Sequence, residues 1–140
     1  MSKGIIWIVD DDSDICEMIK DTLIFYNYDT RSFPTADKAV NALNALDALK
    51  NSGEAMPALI ITDYDTRSKM NGLDVGKKAN EMDIPVIMQS ATPDIGQQAK
   101  LSGVKGFLEK PFAPKVLMDM AQRVISESGH SKSSRGDRAV

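Results

Sequence analysis

One repeated order constrains this chain more than anything else in it. A short strand-like run, largely apolar in four cases and weaker in pattern in the second, is followed by a stretch with apolar residues at helical spacing, and this happens five times. The runs cover residues 5–9, 28–33, 58–62, 84–88 and 104–108. Runs this short, with little polar alternation, read as strands buried on both faces. Strand and helix in strict alternation predict a parallel sheet with helices on both sides and right-handed crossovers.

The helical stretches carry their own signals. Ile15, Met18, Ile19, Thr22, Leu23 and Tyr26 form one face of a first helix, capped by Asp12 or Ser13. After Pro34, Thr35 or Asp37 starts a second helix through about Lys50, with Asn51-Ser52-Gly53 as its stop. Residues 73–82 form a third, after turn chemistry at Asn71-Gly72. Pro93 suits the first turn of a fourth, ending near Leu101. The last runs from Pro114 to about Glu127, on a stripe of Val116, Leu117, Met120, Ala121, Val124 and Ile125. Trp7 reads as a core packing residue and Cys16 as a bystander in the first helix. Residues 1–127 are therefore expected to form one domain. The Ser- and Gly-rich stretch 128–140 is expected to be a disordered tail, and His130 within it neither ligand nor base.

Charge narrows the function. The net charge is −3; Lys132, Arg135 and Arg138 against Asp137 set the tail at +2, which leaves the rest at −5. An acidic body argues against nucleic acid as a direct partner. No apolar run approaches a membrane span, and the first strand is too short for a signal peptide. The single Cys16 excludes an intrachain disulfide. Together these point to a cytoplasmic protein.

In a parallel sheet all strands end on one edge, and ligands bind there. Asp10 and Asp11 follow the first strand, Asp63 the third, Ser90 the fourth and Lys110 the fifth. Three carboxylates brought together repel, and a hard cation such as Mg²⁺ relieves that with oxygen ligands. Asp63 is then a candidate nucleophile toward phosphorus, with Lys110 as a point charge and Ser90 as a hydroxyl donor. Taken singly each has a plainer reading. The acidic run Asp10-Asp11-Asp12 suits a helix N-terminus, and Asp63 suits a turn.

In this arrangement the chain resembles the receiver domain of bacterial two-component response regulators, including stand-alone chemotaxis-regulator-like receivers. The resemblance covers residues 5–127. Asp10 and Asp11 resemble the metal-binding acidic pair and Asp63 the phosphoacceptor. Ser90-Ala91 resembles the hydroxyl switch, Phe107 the aromatic switch, and Lys110-Pro111-Phe112 the Lys-Pro-Phe whose Lys-Pro bond is usually cis. The resemblance implies a flavodoxin-like (βα)5 doubly wound sheet in strand order 2-1-3-4-5. It implies phosphoryl transfer to Asp63 from a histidine kinase or phosphotransfer protein, with Mg²⁺ on Asp10, Asp11, Asp63 and the Asp65 carbonyl. Asp65 and Thr92 fall where dephosphorylation is tuned. Apart from its own phosphorylation and dephosphorylation the domain would catalyse nothing. The face of the fourth helix, fifth strand and fifth helix would meet a downstream protein, the chain being a monomer or weak homodimer.

This chain departs from that family after the phosphoacceptor. Thr66-Arg67-Ser68-Lys69 stands where Met-Pro is usual, and Gly72 comes one residue late. The second helix is also longer. Two alternatives follow. One is a receiver-like module that signals without phosphorylation. The other is a haloacid-dehalogenase-type phosphatase, whose Asp-x-Asp-x-Thr motif the run Asp63-Tyr64-Asp65-Thr66 approximates.

Overall fold

A computed structural model describes residues 2–49, 53, 55–92 and 94–139, with side-chain surroundings as far as Ser128. Five strands and five helices alternate: β1 (Ile5–Val9), α1 (Ser13–Phe25), β2 (Asp29–Phe33), α2 (Ala36–Ala48), β3 (Leu59–Asp63), α3 (Gly72–Glu81), β4 (Val86–Ser90), α4 (Ile95–Leu101), β5 (Gly106–Glu109) and α5 (Pro114–Ala139). The sheet is parallel throughout, in the order β2-β1-β3-β4-β5. This is the flavodoxin-like arrangement expected above.

Strand pleating divides the core in two, because successive side chains leave opposite faces. Ile6, Ile8, Leu59, Ile61, Ile87 and Leu108 pack with Ile19 and Leu23 of α1 and with Leu117, Ala121 and Val124 of α5. Trp7, Val9, Ile60, Val86 and Met88 pack instead with Val40 and Leu43 of α2, Val75 of α3 and Ala99 of α4. Trp7 is a core residue, as its setting suggests: its ring centroid lies 4.7 Å from that of Phe33. Arg31 lies over both rings and covers the edge strand β2.

Several element boundaries differ from the sequence pattern. β4 and β5 each begin two residues later than the apolar runs do and extend into polar residues. Asn71-Gly72 is not a free turn. Asn71 caps α3 in a reciprocal capping box with Asp74, and Gly72 is the first helical residue. α5 continues to Ala139, beyond the Glu127 where its apolar stripe stops. The Asn51-Ser52 stop and Pro93 lie outside the described residues, as does the side chain of His130.

Candidate functional site

The site lies where β1, β3 and β5 end. Each strand is fixed at that end by one more ladder bond. The backbone N–H of Asp10 donates to Phe33 O at 3.1 Å, that of Tyr64 to Gln89 O at 2.9 Å, and that of Lys110 to Ser90 O at 2.8 Å. The pleat carries Asp10, Asp63 and Gln89 to the α1/α5 face, in line with Ile8, Ile61 and Ile87.

Carboxylate oxygens of Asp10, Asp11 and Asp63 lie within 4.8 Å of one another. Lys110 bridges two of these residues, its Nζ standing 3.3 Å from Asp10 Oδ2 and 3.3 Å from Asp63 Oδ2. The acidic run after β1 divides its labour. Asp10 is buried; its Oδ1 accepts from Asp12 N at 2.9 Å and its Oδ2 from the Gln89 amide at 3.0 Å. Asp11 is the exposed member of the trio. Asp12 caps α1, accepting from Asp14 N and Ile15 N. The plainer helix-terminus reading thus holds for Asp12 alone.

Electrostatics show what this arrangement lacks. Burial, and then the neighbouring charge of Asp10, pushes the Asp63 carboxyl up to about 6. Burial also raises Asp10, against the hydrogen bond from Asp12 N and the charge of Lys110. For Lys110, burial alone would lower the ammonium, but Asp10 and Asp63 hold it above its ordinary value. Lys110 leaves the negative charge only partly neutralised. Three clustered hard oxygen donors, two of them desolvated, suit a small divalent cation.

The remaining expected residues sit around this centre. Ser90 is buried, and its hydroxyl accepts from Thr92 N at 2.9 Å on its own loop. Phe107 is partly buried against the α2–α4 half of the core, where a Cβ on Gly96 would lie 3.7 Å from its ring. Asp65 is exposed, and its Oδ1 accepts from Arg67 N at 2.9 Å. The Lys110-Pro111 bond is cis. Cys16 is more than a bystander, since its thiol donates to Asp10 O at 3.4 Å. Burial, then the charge of Asp10, pushes that thiol up to about 11.

Two residues escape the sequence pattern. Gln89 is wholly buried in β4, donates to Asp10, and keeps its own Oε1 without a hydrogen-bond partner among the described residues. Its signal was an amide at the end of an apolar strand. Arg67 reaches back from the β3–α3 loop, its Nε 3.3 Å from Asp11 Oδ2. The phosphatase reading finds no support, since the motif's Thr place falls on Arg67 and the acids follow β3 rather than β1.

Known proteins resemble this chain in sequence and fold. A family model, the response regulator receiver domain, matches residues 6–122. Chemotaxis protein CheY1 of Helicobacter pylori is 33% identical over 126 residues, covering 84% of this chain and 94% of that protein. Chemotaxis protein CheY of Thermotoga maritima is 30% identical, covering 89% of this chain and 98% of that one. Among solved structures, Vibrio cholerae chemotaxis protein CheY4 aligns with a TM-score of 0.69 at 26% identity, over 86% of this chain and 98% of that one. Matched by that family model over residues 6–122, the chain belongs to the response regulator receiver domain family.

Proposed function

We propose that Asp63 accepts a phosphoryl group from a histidine kinase or phosphotransfer protein, and that this switches a protein-binding surface. One observation carries the reading. A buried carboxylate at the end of β3 stands 3.3 Å from Lys110 Nζ and within 4.8 Å of Asp10 and Asp11. An oxygen of Asp63 attacks phosphorus as the bond from phosphorus to the donor histidine nitrogen breaks, which leaves an aspartyl phosphate. Lys110 releases its hold on Asp63 Oδ2 and neutralises a phosphoryl oxygen. Mg²⁺ held by Asp10, Asp11, Asp63 and the Asp65 carbonyl would neutralise the charge gathered on the phosphoryl oxygens.

Ser90 answers next. Its hydroxyl gives up Thr92 N and donates to the phosphoryl group. Phe107 follows it inward, and the face of α4, β5 and α5 shifts between two populations. That face would meet the downstream protein, with the chain a monomer or weak homodimer in the cytoplasm. Among the described residues no helix is long and apolar enough to cross a membrane. Asp65 and Thr92 would tune the lifetime of the phosphoryl group. Residues 1–127 would act as the receiver unit, with 128–140 outside it and no turnover of an external substrate.

Beryllofluoride, a phosphoryl mimic, tests this against a module that signals without phosphorylation. Beryllofluoride with Mg²⁺ should shift the amide resonances of Asp63, Ser90 and Phe107 in the wild type and leave Asp63→Asn unchanged. Identical spectra with and without the mimic would sink the reading.

A further inference from the structure

We propose that Arg67 is a built-in competitor for the metal. Its guanidinium occupies Asp11, and a divalent cation must displace it. The inference rests on the metal site of the proposed function and adds a residue that site does not otherwise contain.

The loop is built to present that side chain. It is tied to the start of α2 at two points. The buried Thr66 hydroxyl accepts from Ala36 N at 2.9 Å, and Met70 N donates to Asp37 Oδ1 at 2.8 Å. Between the ties Arg67 stands at φ 57°, in the left-handed region that non-glycine residues enter at a cost. Asp65 Oδ1 holds the Arg67 N–H at 2.9 Å. From this fixed backbone the side chain comes back over the strand ends and sets its Nε 3.3 Å from Asp11 Oδ2. Lys110 already serves Asp10 and Asp63, so Arg67 supplies a cation to the third acid. The Arg67 side chain is 87% exposed, so the pair itself contributes little to stability. Its consequence lies with the metal. A dication on Asp11 repels the guanidinium and takes its partner.

The test is a titration with Mg²⁺ alone, followed by amide chemical shifts, on wild type, Arg67→Gln and Arg67→Lys. Gln is long and uncharged and meets the same left-handed backbone demand as Arg, so loop strain is unchanged. Arg67→Gln should bind Mg²⁺ roughly two- to fivefold more tightly than wild type, in keeping with an exposed ion pair. Raised ionic strength should shrink that difference. Arg67→Lys should return to near wild-type affinity. Equal or weaker binding by Arg67→Gln overturns the proposal, as does Arg67→Lys behaving like Arg67→Gln. If neither wild type nor Arg67→Gln binds Mg²⁺, the metal site itself falls. If both bind equally, only the role of Arg67 does.

Discussion

A raised carboxyl at Asp63 has a direct cost. Its proton is held to higher pH in the folded protein than in the unfolded chain, where the value is near 3.8. Stability present at acid pH is therefore lost as pH rises from about 4 to about 6. In metal-free protein Asp63→Asn should be more stable than wild type by about 1–3 kcal/mol near pH 7, with the gain gone below about pH 4. Urea unfolding with a chelator present measures this. Equal midpoints at neutral pH would contradict the burial and charge assigned to Asp63. Asp65→Asn keeps an oxygen to accept from Arg67 N, so it removes charge without releasing the loop. It should change the lifetime of the phosphoryl group more than twofold, measured as autodephosphorylation. Asp10, Asp11, Asp63 and Lys110 could be picked from the sequence because charged residues at strand ends have few structural reasons to recur. Gln89 could not. Its role depends on pleat and register, which bring it beside Asp10, and neither is visible in residue type.

Among the elements, the β3–α3 connection leaves little room for substitution. A Cβ on Gly72 would lie 2.6 Å from Asp63 O and 3.0 Å from Tyr64 Cα, both backbone atoms with little room to yield. Gly72→Ala should cost about 2–4 kcal/mol, read from denaturant unfolding. Thr66→Val strands the buried N–H of Ala36 and should cost about 1–3 kcal/mol. A loss below about 0.5 kcal/mol would mean that Thr66 does not tie the loop to α2. Two helix starts were legible because capping chemistry is local: Asp12 caps α1 and Thr35 caps α2, as their positions suggest. Strand ends were less so. Apolar content reports burial, whereas the ladder is made by backbone groups. β4 therefore runs on through Gln89, paired with β3 and β5, and Ser90, paired with β5. α5 shows the same gap. Its apolar stripe marks the packed part, but backbone hydrogen bonding extends the helix to Ala139.

At the scale of the molecule, the two faces of the sheet separate the acidic cluster from the aromatic ring of Phe107. The acids and Lys110 belong to the α1/α5 side, whereas Phe107 packs with the α2–α4 side. Ser90, last residue of β4 and paired across to Glu109, falls by strand alternation on the Met88 and Phe107 side. Under the proposed function, Ser90→Ala should weaken the beryllofluoride-induced shift at Phe107 relative to that at Asp63. Strand order followed from the family resemblance, not from residue patterning, since several orders satisfy the same alternation of strand and helix. The most direct test of the central claim is covalent. Intact-mass spectrometry after acetyl phosphate treatment should show one added phosphoryl group on wild type with Mg²⁺, none after chelation, and none on Asp63→Asn. Equal labelling of Asp63→Asn, or an unlabelled wild type with Mg²⁺ present, would contradict the account.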